Sequence, residues 1–334
     1  MVVDASRRNT NFKVVVGDGP SYLLKIGSGG PRSTVAREAG VYQALLHCGD
    51  GVARFLPQMH AYERDEDLLV LELVRHAHDL REHHSRIGRF SKGLAAEVGA
   101  ALGSLHQATK MDEGTAPHAH PPWALSIHRP DLGVMRDSSA ANLEVIRIVQ
   151  RSEGFSQSLD RLARDWRVEC VIHYDVKWDN FIVPASDGRA RRDRMKLVDW
   201  ELAQEGDPCW DLGSAFAHYL SFWVFSIPVT GETPPQQWPD LARYPLARMR
   251  PALTACWNAY RRNRDLEGDA ARSTLVRSVR FAGARLVQTA YEATQASIEI
   301  TGNVIILLQL AANVLARPHE AAVQLLGLPL AETA

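Results

Sequence analysis

Apolar residues in the first quarter of the chain come in short runs of β-forming side chains. Residues 12–16 (FKVVV) and 21–26 (SYLLKI) flank Gly17-Asp18-Gly19-Pro20, and a Gly/Asp/Pro cluster between two such runs predicts a hairpin. After a glycine-rich break at Gly27 to Gly30 the period lengthens. Val35, Ala39, Tyr42 and Leu46 recur at helical spacing, with Ser33 or Thr34 placed to cap the start. FLPQMHAYE and DLLVLELV then flank the charged turn Arg64 to Asp67 and predict a second hairpin. Residues 1–75 read as a small antiparallel sheet carrying one helix.

From about residue 91 the pattern turns helical. In SKGLAAEVGAALGSLHQAT, Leu94, Val98, Ala101, Leu102 and Leu105 fall on one side of a helix. Residues 110–140, rich in Pro, His and Asp, read as a long loop, and helical patterns follow at 141–150 and 157–168. The strand runs CVIHYDV, NFIVP and MKLVDWEL come next, with SDGRARRDR joining the last two. Residues 211–320 read as several helices with Pro- and Gly-containing breaks. No internal repeat appears. The expected organisation is α+β, with a β-rich unit at 1–75 and a larger, mainly helical unit at 76–334.

Composition narrows the class without naming a chemistry. With 334 residues, 46% of them apolar and 23% charged, the chain is an ordinary soluble globular type with ample material for a core. A net charge of -1 gives no global attraction to nucleic acid or anionic membrane, so neither is expected as a partner. Cys48, Cys170, Cys209 and Cys256 lack metal or redox spacing and read as reduced thiols. MVVDASRRNT has no apolar signal core, and Val304 to Ala316 is too short to span a bilayer and reads as a core helix. A cytoplasmic location is expected.

One segment carries chemistry. His173-Tyr174-Asp175-Val176-Lys177-Trp178-Asp179-Asn180 lies between two β runs, and a third run ends in Leu197-Val198-Asp199-Trp200-Glu201. Acidic and amide side chains at the ends of neighbouring strands can converge on one point. Asn180 and Asp199 are oxygen donors of the kind magnesium prefers, and magnesium takes few protein ligands beside phosphate oxygens. Asp175 is then left to accept the proton of an incoming hydroxyl, and phosphoryl transfer asks little more of a protein than such positioning and charge neutralisation.

The pattern H-x-D-x-K-x-x-N followed by a strand-terminal Asp resembles the catalytic and metal-binding segments of protein kinases. D-W-E, the following GDPCWDLG and the upstream LGSLH resemble the aminoglycoside phosphotransferase family, which includes choline-kinase-like enzymes. The resemblance covers roughly residues 6–215 and implies a two-lobed protein-kinase-like fold using ATP and magnesium. Asp175 resembles the catalytic base, Asn180 and Asp199 the metal ligands, His173 a buried brace of the catalytic loop, and Asp211 a second brace. Lys177 stands where protein kinases place a lysine that neutralises the transferring phosphate; small-molecule kinases usually lack it. Lys25 resembles the lysine that grips the α- and β-phosphates, Glu38 its ion-pair partner, and Glu72-Leu73-Val74 the hinge that meets adenine.

Several features depart from that family pattern. Only eleven residues precede Phe12, so the first strand is expected to be very short or missing. The loop Ser6-Arg7-Arg8-Asn9-Thr10-Asn11 has no glycine with which to cover phosphate; Arg7 and Arg8 read as solvated or as direct phosphate contacts. Eleven residues separate Asp199 from Asp211, too few for a long phosphorylatable activation segment.

Other clusters read as structural rather than functional. His76, His78, His83 and His84 read as a solvated loop or helix start rather than a metal site, and the 189–194 run as a solvated tip. Tyr219, Phe222, Trp223 and Phe225 have near-helical spacing and read as core, or as a border of the acceptor cleft.

The acceptor is read from charge. After Asp211 the chain has eleven arginines, nine acidic residues and no lysine, which favours an uncharged or anionic acceptor over a polycation. The sequence is also similar to phosphotransferase-like proteins associated with ribosomally made, modified peptides such as thioamitides and class V lanthipeptides. That resemblance implies phosphorylation of Ser or Thr in a precursor peptide before elimination by a partner lyase. A small-molecule kinase for an antibiotic or metabolite, and a catalytically silent scaffold, are the alternatives.

Overall fold

The structure is a computed structural model that describes the chain except residues 5, 7–9, 18, 31–32, 112–119, 185–194, 230–233 and 331–334. The expectations for Arg7, Arg8 and the 189–194 run lie outside the described residues. The N-terminal part is a five-stranded antiparallel sheet of β1 (Val2–Asp4), β2 (Thr10–Val14), β3 (Tyr22–Ile26), β4 (Met59–Glu63) and β5 (Leu68–Glu72), ordered β1-β2-β3-β5-β4. Both predicted hairpins are present. The first strand is only three residues long, paired from Val2 opposite Val14 to Asp4 opposite Phe12.

Helix α1 (Thr34–Leu46) crosses this sheet, and Ser33 caps it by accepting the Ala36 amide. Its buried side is Val35, Glu38, Ala39, Tyr42 and Leu45. Leu46, expected on that stripe, is instead 43% exposed. Both Leu45 and Leu46 satisfy helical spacing from Tyr42, and only packing decides between them. In the sheet, Leu23 lies opposite Leu71 and Lys25 opposite Leu69. Directly opposed residues share a face, so a lysine and a line of leucines lie side by side, all but Leu23 fully buried.

A short helix α2 (Asp50–Ala53) precedes β4, and β6 (Ala77–Asp79) with α3 (Leu80–Ile87) follows β5. The histidine-rich run is therefore a strand and a helix rather than a loop. His78 pairs with Glu82 and Arg86, whereas His84 is buried in the core. Among the described residues no cluster of His, Cys, Asp and Glu suits a metal ion.

The helical part holds α4 (Lys92–Ala108), α5 (Leu132–Asp137), α6 (Ala140–Arg151), α7 (Glu153–Arg164), α8 (Pro208–Phe225), α9 (Leu246–Asn263), α10 (Gly268–Ala293) and α11 (Gly302–Ala316). Two of its elements correct the sequence reading. The expected long loop at 110–140 contains α5 and a 3-10 turn at Trp123–Ser126, and the helix expected at 157–168 starts earlier, at Glu153. Strands β7 (Cys170–Ile172), β8 (Phe181–Pro184), β9 (Lys196–Leu197) and β10 (Gln204–Gly206) form two small sheets, β6-β8-β9 and β7-β10. β6 and β10 are three residues each, too short for a period to declare itself.

Helix α8 is buried over almost its whole length, with Tyr219 and Phe222 in the core and Phe225 at the surface. Helices α4 and α9 approach closely enough that a Cβ on Gly99 would stand 2.0 Å from the Cys256 carbonyl oxygen. Helix α11 buries one face only, and no described helix is long and apolar enough to cross a membrane. All four cysteines are free thiols; three are buried and Cys48 is half-buried.

Under the catalytic segment, His84 packs against Phe90 and Trp178 at ring separations of 4.9 and 4.7 Å. Its Nδ1 meets the Arg89 carbonyl at 3.1 Å, so Nδ1 carries the proton of a neutral ring. Burial lowers its pKa to about 4. A histidine depressed in this way favours the folded state fully above its ordinary pKa of 6.5, and that contribution is lost as pH falls towards 4. His106 and His218, also lowered by burial, act in the same direction. Urea unfolding of wild type should lose on the order of 1–2 kcal/mol from His84 alone between pH 7 and 5. The His84→Phe variant should show a shallower slope; a slope as steep as wild type would rule this histidine out as a source. Gly99→Ala should cost about 2–3 kcal/mol, because two helix backbones would have to separate.

Candidate active site

The segment after β7 is fixed from beneath by one carboxylate. Asp211, completely buried in the first turn of α8, accepts the His173 amide at 2.7 Å on one oxygen and the Tyr174 amide at 2.9 Å on the other. Its Oδ2 also lies 3.2 Å from His106 Nε2, and His106 Nδ1 lies 3.0 Å from the Tyr260 hydroxyl. Trp210 Nε1 donates to the Tyr174 carbonyl at 2.8 Å. These bonds hold Tyr174 at a φ of 71°, a left-handed conformation that a bulky side chain adopts only when its surroundings over-determine it. The chain reverses there, and Asp175 is presented beyond the strand end.

His173 is buried, with Nε2 3.0 Å from the Val198 carbonyl and its ring 4.7 Å from that of Trp200. It ties the segment carrying Asp175 to the one carrying Asp199. Asn180 repeats that tie: its Nδ2 donates to the Asp175 carbonyl at 3.0 Å, and its own carbonyl accepts the Val198 amide at 3.0 Å. With Nδ2 engaged, its Oδ1 is the free end of the amide.

Asp199 has a φ of 69°, also left-handed, and opens the turn Trp200–Leu202. Lys25 Nζ stands between two acidic groups, 2.9 and 2.7 Å from the Glu38 oxygens and 3.1 Å from Asp199 Oδ1. Glu38 accepts the Trp200 amide as well, at 3.2 Å. Burial pulls the Lys25 pKa down, but Glu38 and Asp199 more than offset it, and the net shift is upward. Asp199 is pushed up by burial and pulled further down by Lys25, so its net shift is downward. Lys177 Nζ sits 2.5 Å from Asp175 Oδ2, with both side chains partly exposed. Its pKa is lowered by burial but raised on balance by Asp175, Asp199 and Asp179.

A cavity of about 590 Å³ opens between the sheet and the helical part. Lys25, Glu38, Glu72, Val74, Asn180 and Asp199, all of the residues expected to serve nucleotide and metal, line it. Asp175 and Lys177 do not; they lie beside it, joined through the Asn180–Asp175 bond. Asp4 of β1, Asn11 of β2 and Ser6 between the two strands form part of its wall. Ser6 bridges to Asn11 by two hydrogen bonds of 3.4 and 3.0 Å. Glu72 is committed to Gln58, through its amide at 2.8 Å and its carboxylate at 3.0 Å. The residues suit a magnesium ion: a partly exposed carboxylate on Asp199 and a free amide oxygen on Asn180 are hard donors in a cavity large enough for polyphosphate.

The sequence reading did not assign His106, Tyr260, Trp210 or the Arg81–Asp179 ion pair at 3.0 Å. His106 stands in LGSLH, a polar residue on an otherwise apolar helix face, but its partners lie 105 and 154 residues away. The arginines of the last third have structural tasks. Arg264 donates to the His106 carbonyl at 2.7 Å, Arg250 caps the carbonyls of Gln324 and Leu325, and Arg277 pairs with buried Asp207.

The sequence matches the phosphotransferase enzyme family (APH) over residues 2–261 and the chain belongs to that family. It is an O-phosphotransferase built on the kinase-like fold. Among solved structures it is similar to a choline kinase from Cryptosporidium parvum, with 12% identity, a TM-score of 0.54, and coverage of 98% of this chain and 92% of that one. A choline/ethanolamine kinase family protein from Mesorhizobium loti gives 16%, 0.52, 96% and 88%. A glucosamine kinase in complex with glucosamine, ADP and inorganic phosphate gives 14%, 0.52, 92% and 75%. No curated protein matches the sequence significantly.

Removing Asp211 would orphan two backbone amides and one imidazole in a dry site. Asp211→Ala should therefore cost about 3–5 kcal/mol in urea unfolding. A loss under 1 kcal/mol would mean that water or neighbouring groups replace the carboxylate.

Proposed function

We propose that this enzyme transfers the γ-phosphate of ATP, with magnesium, to a hydroxyl of an uncharged or anionic acceptor. The observation that carries this reading is the gathering of Lys25, Glu38, Asn180 and Asp199 around one cavity with Asp175 at its edge. Lys25, aimed by Glu38 and released from Asp199 when nucleotide enters, meets the α- and β-phosphates. At the hinge the Glu72 amide and carboxylate are both engaged by Gln58, so adenine meets the Glu72 carbonyl and the Val74 backbone. Asn180 Oδ1 and the Asp199 carboxylate hold the metal, which when bound neutralises phosphate charge.

Asp175 accepts the proton of the acceptor hydroxyl while that oxygen bonds to the γ-phosphorus, and the bond from phosphorus to the β-bridging oxygen breaks to release ADP. Lys177 occupies Asp175 Oδ2, which leaves Oδ1 for the hydroxyl. As charge moves onto the transferring group, the ammonium beside it lowers the barrier.

The acceptor reading rests on the excess of arginine over acidic residues after Asp211. Near the catalytic loop the cations are paired, Arg285 with Glu292, Arg81 with Asp179 and Lys177 with Asp175, and add no further preference. Lys177 also keeps the precursor-peptide reading, since it is the feature protein kinases share and small-molecule kinases usually lack. In that reading Ser or Thr is phosphorylated and a partner lyase then eliminates the phosphate.

Asp175→Ala should lower turnover by at least about a thousandfold while the thermal shift given by ATP and magnesium stays close to that of wild type. Failure of saturating ATP and magnesium to raise the melting temperature would favour a silent scaffold. A panel of neutral sugars, anionic alcohols, choline and Ser/Thr peptides, read by mass spectrometry for an added phosphate, tests the acceptor. Preferential transfer to choline would overturn the charge argument.

A further inference from the structure

A second cavity, of about 550 Å³, shares no residue with the nucleotide cavity. It lies where α7 runs into β7, at the opposite end of that strand from Asp175, and α10 forms one side. Four guanidinium groups, Arg167, Arg272, Arg277 and Arg280, line it against two carboxylates, Asp165 and Asp269, with His319 at the rim. Pockets of this size hold small metabolites. Such a concentration of arginine is costly unless it is neutralised.

The pairing within the cavity is incomplete. Arg277, the most buried of the four, gives its terminal nitrogen to Asp207 and to the Asp165 carbonyl, while its Nε is buried without a partner. Arg280 reaches Asp165 only at 3.4 Å, and Asp165 is itself more than half exposed. Arg167 stands 3.9 Å from Glu169, at the limit of an ion pair. Arg272 is exposed on α10, five residues before Arg277 and three after Asp269, so the cavity sets four guanidinium groups against two carboxylates. Spaced five and three residues apart on α10, Arg272, Arg277 and Arg280 line the cavity together with Arg167. A planar, multidentate donor set of this kind matches phosphate oxygens better than it matches a single carboxylate.

We propose that this arginine-lined cavity is a binding site for a small phosphate-bearing anion, distinct from the nucleotide site and independent of the proposed phosphotransfer. Arg277 at the cavity floor pairs with buried Asp207, Asp207 accepts the Cys209 amide at the start of α8, and the same turn of α8 carries Asp211. The ligand fills the charge deficit around Arg272 and Arg280 and leaves the Arg277–Asp207 pair in place.

Pyrophosphate is the probe, titrated calorimetrically into the full chain at about 50 and about 150 mM salt, where the Debye length is roughly 14 and 8 Å. The proposal expects saturable one-site binding at both salts. It expects at least a tenfold loss of affinity in the Arg272→Ala/Arg280→Ala double variant and little change in Lys25→Met, which disturbs the nucleotide cavity alone. Arg272→Glu, a single change at an exposed position, provides the same readout if the double variant does not fold. Loss of binding in Lys25→Met with retention in the double variant would place pyrophosphate in the nucleotide cavity and overturn the proposal. So would an absence of binding at the higher salt, or equal competition by a hexaglutamate peptide, which would mark a generic acidic contact.

Discussion

A buried carboxylate that binds two successive backbone amides is the constraint on which the rest of this molecule depends. Asp211 has no solvent to share its charge with, and the His173 and Tyr174 amides and the His106 ring stand in for water. The arrangement forces Tyr174 into a left-handed turn, and that turn sends Asp175 out of the strand line. Helix α8 carries the carboxylate, and its near-complete burial against α9 and α10 is what keeps the carboxylate still. The largest helices of the protein thus act on the chemistry without touching the cavity. Their rigidity is transmitted through a single side chain.

The second organising contact joins the two parts of the molecule. Lys25 on the sheet, Glu38 on α1 and Asp199 beyond β9 form one buried charged cluster, and Glu38 extends it to the Trp200 amide. Each member would be expensive to bury alone. Together they are mutually satisfied, and of the three, all of which line the cavity, Asp199 is the least buried. A cluster of this kind can exchange one partner for a phosphate or a metal without leaving a bare charge behind. The parallel with phosphotransferases is therefore physical as well as historical.

Arginine is distributed against the simple expectation from sequence. Counting charges in the last third suggests a basic acceptor surface, yet Arg250 and Arg264 end at backbone carbonyls and Arg277 at a buried aspartate. Near the catalytic loop, Arg81, Lys177 and Arg285 are paired with Asp179, Asp175 and Glu292. Arg272 and Arg280 gather with Arg167 at the far end of β7, where no part of the nucleotide cavity reaches.

The sequence by itself determined the β-rich and helical parts and which candidate residues a short stretch of chain brings to one place. Strand period, hairpin turns and helix stripes are local properties, and so is the spacing His173, Asp175, Lys177, Asn180, which a short loop between two strands must bring to one place. Lys25 and Glu38 were legible because strand and helix follow one another directly. What only the tertiary structure decided are the matters of which long-range partner each group meets. His106 meets Asp211 across 105 residues and Tyr260 across 154, and nothing local to any of the three marks those contacts. Leu45 rather than Leu46 faces the core, β6 and β10 pair despite having three residues each, and His84 is core rather than surface. In each case two local patterns were equally permissible, and burial chose between them.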